Sequence, residues 1–362
     1  MTSRIYNFSA GPAILPTEVL AKAREELLSL NGIGMSVMEV SHRSKYFEPV
    51  LENARQGIRD LLGVPDNYQI LFLQGGASLQ FAQIPMTFLT KDRSADYIVN
   101  GAWSEKAVKE AKKFGGVNVI FSGRESGYKT APSQEELRFS LNAEYIHYCS
   151  NETIDGVEFK YDLDGGNIPV ICDASSNILS KPIDVSKYAL IYAGAQKNIG
   201  PSGVTLVIIR DDLIEKVPNN LPAMLDYRNF AEQGSMPNTP NTWGIYLISL
   251  VCDWLKAKGG VAEMARINEQ KAKIIYDAID SSDGYYQGHA AREVRSLMNV
   301  TFRLPTEELE KKFCAEAAVQ GLDGLKGHRS VGGIRASIYN AFPIEGAERL
   351  VEFMRDFAEA TE

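Results

Sequence analysis

Short apolar runs recur along this chain, and most of them end in small or polar residues just before a helical pattern begins. Tyr68–Leu73 runs into Gln74-Gly75-Gly76, residues 97–100 into Gly101-Ala102-Trp103-Ser104, and residues 144–149 into Ser150-Asn151-Glu152-Thr153. Residues 168–173 run into Ala174-Ser175-Ser176, and residues 189–193 into Gly194-Ala195-Gln196-Lys197-Asn198-Ile199-Gly200. Two further β-branched runs lie at 117–121 and 204–209. Strands this short, alternating with helical periodicity, predict an α/β fold on a mostly parallel sheet. Such sheets take their ligands beyond the carboxyl ends of the strands. Thr153, Asp173 and Lys197 all lie just past such ends, which places a hydroxyl, a carboxylate and an amine on one edge.

Lys197 stands among Gly, Ala, Asn and Ile rather than among polar neighbours. It is either a loop lysine beside a buried strand or a desolvated amine of lowered pKa, able to act as a nucleophile. Asp173 is either a turn cap or a charge aimed at a ligand. The Gly75-Gly76-Ala77-Ser78 turn between a strand and a helix offers free N–H groups and a helix N-terminus to a phosphate. It lacks both the GK[ST] of a nucleotide loop and the GxGxxG of a dinucleotide site. Trp103, beside a helix expected over 105–114, is positioned either to fill a core or to stack on a flat ring.

With 362 residues, 44% hydrophobic and 23% charged, the chain can bury a large core and form two domains. Residues 15–260 read as the large sheet domain. Residues 261–362, together with 1–14, read as a small α+β domain with strands near 298–303 and 334–339 and helices over 306–320 and 345–358. Elsewhere, helices are expected over 16–30 with Thr17 as a cap, 47–62, 242–258 and 261–279. A net charge of −8 excludes wholesale nucleic-acid binding through a basic face. Local basic clusters remain: His42-Arg43, and Lys326, His328, Arg329 and Arg335 in a Gly-rich hairpin. Each is either an anion site or a solvated turn. No apolar run approaches the roughly 20 residues of a membrane span, and the first residues lack a signal peptide's apolar stretch. Cys149, Cys172, Cys252 and Cys314 form no CxxC pair and read as reduced, buried thiols in a cytoplasmic protein. The four histidines show no metal spacing, so no metal is expected.

A phosphate cradle, a stacking indole, a strand-end carboxylate, a loop lysine and two His-Arg clusters together suit pyridoxal phosphate. That cofactor carries a phosphate, an aromatic ring, a pyridine nitrogen needing an acidic partner and an aldehyde needing a lysine. Five segments make the reading sharper: Asn7-Phe8-Ser9-Ala10-Gly11-Pro12-Ala13, residues 36–43, Asn151-Glu152-Thr153-Ile154-Asp155-Gly156, residues 192–200, and residues 327–341 with Gly-His-Arg and Gly-Gly-Ile-Arg-Ala-Ser-Ile-Tyr-Asn-Ala. Together they resemble the phosphoserine aminotransferase family, over essentially the whole chain.

That resemblance implies the aspartate-aminotransferase-like fold (fold type I), a homodimer with active sites at the subunit interface, and exchange of an amino group between L-glutamate and a phosphorylated 2-oxo acid, 3-phosphohydroxypyruvate. It also implies a part in pyridoxine synthesis through a phosphorylated threonine-like substrate. By resemblance, Lys197 bears the Schiff base, Asp173 pairs with the pyridine nitrogen, Trp103 stacks on the ring and Thr153 bonds near its 3-hydroxyl. Ala77, Ser78 and Gln196 hold the cofactor phosphate, with Asn238 and Thr239 reaching it from the partner subunit. Arg335 takes the substrate α-carboxylate, and Ser9, His42, Arg43, His328 and Arg329 line the substrate pocket. One departure stands out. Many bacterial members carry Arg at the position of Ser78, so here the remaining basic residues carry more of the substrate's charge. Two other readings stand beside it. One is another enzyme of the same fold, a small-substrate aminotransferase or a cysteine desulfurase, the latter needing a reactive cysteine on an exposed loop; the other is of a different class. A non-catalytic phosphate-binding protein would tolerate loss of Lys197.

Overall fold

The structure, a computed structural model, describes residues 4–361. Seven apolar runs form one sheet. Its strands in chain order are β1 (Tyr68–Leu73), β2 (Ser94–Val99), β3 (Gly116–Ser122), β4 (Ala143–Cys149), β5 (Val170–Asp173), β6 (Leu190–Gly194) and β7 (Thr205–Arg210). They lie side by side as β1-β7-β6-β5-β4-β2-β3. β7 is antiparallel to both of its neighbours, and the pairs from β6 across to β3 are all parallel. Two reversals around β7 leave β1 running with β6. Six strands therefore deliver their carboxyl ends to one edge.

Strand side chains alternate between two buried faces, as the two-residue period requires. Ile70, Phe72, Ile146, Tyr148, Cys172, Ile191, Leu206 and Ile208 enter one apolar cluster. Leu71, Leu73, Tyr145, Ile171, Leu190, Tyr192, Val207 and Ile209 enter the other. The first face is covered by helices Glu48–Leu62 and Thr242–Ala257, the second by Gly76–Phe88 and Ala102–Ala111. The two helices on the first face approach closely at Gly57, where a Cβ would fall 2.5 Å from the Cys252 Cβ. Cys149, Cys172 and Cys252 are buried thiols, and Cys314 is half-buried in helix Glu307–Val319.

A third cluster forms beyond the large sheet. The antiparallel strands Gln287–Gly288, Asn299–Arg303 and Ile334–Ser337 pack with helices Gly260–Asp280, Glu307–Val319 and Ile344–Thr361. Phe313 is its centre, 4.9 Å from Phe353 and 5.1 Å from Phe357, edge to face. The early segment of the chain joins this core. Tyr6–Asn7 pairs in parallel with Leu322–Asp323, Phe8 is fully buried, and the Ser337 amide donates to the Phe8 carbonyl. Five residues on, the Ala13 amide donates to Gln196 O beside Lys197.

A buried polar network spans the two bodies. Asn340 donates from its backbone to Asn198 Oδ1 (2.9 Å) and from its side chain to Leu179 O (2.8 Å). Asn268 donates to Asn340 Oδ1 (2.8 Å) and Ser180 O (3.0 Å). Lys271, fully buried one turn along the same helix, donates to the carbonyls of Ile338 and Tyr339.

The expected helix over 16–30 is shorter, Thr17–Glu25. Ser29, with φ −156° and ψ 89°, is extended and cannot continue the helix. Thr17 does not cap it either, because its hydroxyl accepts from Arg4 Nη1 (2.6 Å). No helix among the described residues is long and apolar enough to cross a membrane.

Candidate active site at the carboxyl edge of the sheet

β6 ends at Gly194, and Lys197 follows on a turn that closes onto β7. Its amine donates to Thr153 Oγ1 at 2.6 Å and stands 5.3 Å over the Trp103 ring. Burial pushes the amine's pKa down, opposed by the charges of Asp173 and Glu152. Gly11 packs on the loop, where an added Cβ would meet the Gln196 and Lys197 side chains at 3.5 Å.

Asp173 ends β5 and is buried. Burial pushes its carboxyl up, while the Lys197 charge and the Ser175 amide pull it down. Ser175 N donates to Oδ1 (2.9 Å). The Tyr192 hydroxyl also favours the ionised form. Tyr192 in turn is hydrogen-bonded to His147 Nε2 (2.9 Å). Burial holds His147 neutral, with a pKa lowered to about 3.

Trp103 lies in the first turn of the helix Ala102–Ala111, not ahead of a helix starting near 105. The helix begins earlier because carboxylates far away in sequence satisfy its first N–H groups. Glu152 accepts from the Trp103 and Ser104 amides (2.9 and 2.7 Å), and Asp155 from the Ala102 amide (3.1 Å). Locally, only the Ser104 hydroxyl, accepting from the Asn100 and Gly101 amides (3.1 and 3.2 Å), marks this start.

β1 leads through Gly75 and Gly76, both left-handed, into helix Gly76–Phe88. Ala77 and Ser78 occupy its first turn, which carries no acidic residue. Gly75 is required on space as well as on angle, since a Cβ would sit 2.4 Å from Leu79 Cδ2. Asn238 lies beside this turn of its own chain, accepting from Gln74 Nε2 at 3.2 Å; Thr239 is exposed next to it. Gln196 is half-buried between Gly194 and Lys197.

Arg335 reaches the same edge from the small sheet, its Nη1 3.4 Å from Thr153 O. Its Nε is buried with no hydrogen-bond partner among the described residues, as is the Trp103 Nε1. Burial lowers the guanidinium pKa, opposed by Tyr339 and Asp155. Two unsatisfied buried donors beside a lysine and an open helix N-terminus are what an anionic aromatic ligand with a carboxylate-bearing substrate would satisfy. The residues present therefore fit pyridoxal phosphate.

The basic clusters stand further out. His328 bonds Ser330 Oγ (2.6 Å), and burial together with the cations Arg335, Lys106 and Arg329 lowers its pKa. Arg329 is exposed. His42 and Arg43 pair with each other (3.2 Å), and no hydrogen bond or ion pair ties either to Lys197, Arg335 or His328 among the described residues. Ser9 is fixed by Asn7 Oδ1 on its amide (2.9 Å) and packs against Gly324. Sequence reasoning assigned no role to Glu152, Asp155, His147, Tyr192 or Asn340. Each works through burial and long-range partners, which local sequence does not display. The nearest signal is Glu152 and Asp155 themselves, two carboxylates in a segment otherwise suited to a buried hairpin.

This edge belongs to a known kind of enzyme. The family model for aminotransferase class-V matches residues 5–350, and the chain belongs to that family. A ureidoglycine-glyoxylate aminotransferase from Bacillus subtilis shares the fold, with a TM-score of 0.81 at 12% identity, over 99% of this chain and 94% of that one. The chain is 53% identical to a phosphoserine aminotransferase of Lysinibacillus sphaericus (strain C3-41) across 99% of both sequences, and 54% identical to one of Geobacillus kaustophilus (strain HTA426) across 98% of both. The solved phosphoserine aminotransferase from Bacillus circulans subsp. alkalophilus superposes with a TM-score of 0.98, at 49% identity, covering 99% of each chain. Within class V, the chain is therefore one of the phosphoserine aminotransferases.

Proposed function

We propose that this edge binds pyridoxal phosphate and exchanges an amino group between L-glutamate and 3-phosphohydroxypyruvate, giving O-phospho-L-serine and 2-oxoglutarate. The observation that carries the proposal is the convergence of Lys197, Thr153 and Trp103 beside the buried Asp173. A solved relative 41% identical, from Trichomonas vaginalis, is described as PLP-bound.

Lys197, Asp173, Trp103, Thr153, Gln196 and the Ala77-Ser78 turn would hold the cofactor. When bound, pyridoxal phosphate supplies an aldehyde for the amino group and a ring that takes up the electron pair released at the substrate α-carbon. Lys197 Nζ, its proton affinity lowered by burial, moves a proton to and from the substrate carbon. Thr153 Oγ1 fixes where that amine stands. Asp173, its carboxyl pushed up by burial and drawn back by the Lys197 charge and the Ser175 hydrogen bond, would accept from a ring N–H. Arg335 binds the α-carboxylate through its unpaired Nε and remaining donors. His328 and Arg329 take the substrate's distal anion.

The homodimer is part of the same proposal. A partner's His42 and Arg43 completing each site would explain why, among the described residues, neither forms a hydrogen bond or ion pair with Lys197 or Arg335 of its own chain. Asn238 and Thr239 would then serve the phosphate at the subunit boundary. A large domain over 15–260, a small one over 261–362 with 1–14, a cytoplasmic location and a second use of the site in pyridoxine synthesis complete the reading. The separate apolar clusters support the division, and the buried unpaired thiols fit a reducing compartment.

The deciding experiment is the visible spectrum of the purified protein before and after L-glutamate. A yellow band that moves to shorter wavelength on adding glutamate, and returns on adding 3-phosphohydroxypyruvate, is the expected result. A protein that stays colourless when given pyridoxal phosphate sinks the proposal.

A further inference from the structure

The hairpin formed by Asn151–Glu152 and Val157–Glu158 contacts Lys197, Arg335 and the Trp103 turn. Thr153 receives the lysine amine on its hydroxyl and Arg335 on its carbonyl. The Thr301 hydroxyl, from the small sheet, donates to Asp155 O (2.9 Å). Glu152, fully buried, binds the Trp103 turn three times: Oε2 accepts the Trp103 amide (2.9 Å), and Oε1 accepts the Ser104 amide (2.7 Å) and hydroxyl (2.6 Å). There is no slack in this joint. A Cβ on Gly101 would lie 2.4 Å from Glu152 Cγ and 2.7 Å from Asp155 Oδ2.

We propose that Glu152 is a positioning residue for the reaction: its carboxylate sets where the Trp103 ring stands relative to Lys197, and Thr153, next along the same hairpin, carries that register to the lysine amine. This rests on the reading that Trp103 lies against the cofactor ring. A carboxylate that only capped a helix would need neither full burial nor a neighbour bonded to the lysine. Three hydrogen bonds converging on one rigid turn fix the backbone at the root of the indole, and misplacement of a packed group by about 1 Å can cost on the order of 100-fold in rate.

The test is Glu152→Gln, which keeps the shape but turns an NH2 toward an amide N–H. Pyridoxal phosphate is titrated into cofactor-free protein, and the visible circular dichroism per mole of bound cofactor is recorded. The expected result is binding weakened about tenfold and induced ellipticity cut by more than half, with kcat falling more than the KM for glutamate changes. Ser104→Ala removes one bond of the three and leaves the Asn100 and Gly101 amides without the Ser104 hydroxyl; it is the second variant if Glu152→Gln does not fold, and should move the same signals in the same direction. A lowered melting temperature with unchanged affinity and ellipticity in the folded variants overturns the inference and leaves a plain helix cap. Wild-type protein that takes up no pyridoxal phosphate overturns the functional reading and this inference with it.

Discussion

Lys197 and Glu158 show what burial does to single charges in this protein. Lys197 has a lowered proton affinity and one hydroxyl partner, the state a proton-moving amine needs. Replacing it by Ala should reduce turnover by on the order of 10³ or more while the far-ultraviolet circular dichroism stays that of the wild type. Residual turnover within tenfold of wild type would remove the lysine from the chemistry. With Ser rather than Arg at position 78, the phosphorylated substrate depends more on the outer cations. Arg329→Ala should therefore raise its KM several-fold more than that for glutamate, and steady-state kinetics with both substrates reads this directly. Equal rises would contradict the division. Glu158 serves stability instead. Burial opposes its charge, but Lys181 at 3.0 Å and Lys160 at 3.3 Å prevail, lowering its pKa from 4.5 to about 2. A depressed carboxyl pKa contributes stability above the unfolded value that is lost as pH falls through the folded one. Glu158→Gln should therefore cost about 3 kcal/mol near pH 7. In urea titrations the gap to wild type should narrow as pH falls from 4.5 toward 2. A gap independent of pH would assign the loss to packing.

At the scale of elements, the strands were the legible part. Tyr68–Leu73 matches its apolar run end to end, and Asp173 and Lys197 fall where strand ends predict them. The helix Ala102–Ala111 was less legible, because its first N–H groups are satisfied by carboxylates some fifty residues away. The orientation of β7 was also hidden: apolar periodicity reports burial, not direction. The site reads from sequence in its reactive groups and not in the residues that hold them, since a buried partner such as His147 carries no local mark. The helix pair under the sheet offers an independent check. Gly57→Ala forces a methyl to within 2.5 Å of Cys252 Cβ. It should lower unfolding stability by about 1–3 kcal/mol despite Ala's better helix propensity. An increase in stability would mean the helices can separate freely.

In the whole molecule, one apolar cluster lies on each face of the large sheet and another in the small one, and Asn198, Asn268 and Asn340 link the bodies beside the lysine loop. Asn340→Ala takes the Asn340 amide from the Leu179 carbonyl and leaves Asn268 bonded only to Ser180 O, a loss of about 2–3 kcal/mol. Scanning calorimetry should show a lower midpoint and a broadened or divided transition as the two cores uncouple. One sharp transition at the wild-type temperature would show that the network is dispensable.

The segment around Phe8 has a bearing on biosynthesis. Phe8 leaves a ribosome long before its partners Asp323 and Ser337. At about 5–20 residues per second, some 315 residues of translation separate them, roughly 15–60 s. During that interval the large sheet can assemble and present Lys197 while the segment whose Gly11 packs on the lysine loop still lacks its anchor and Arg335 has not yet been made. A nascent chain stalled before residue 320 should thus expose its reactive amine to small aldehydes in a way the finished enzyme does not.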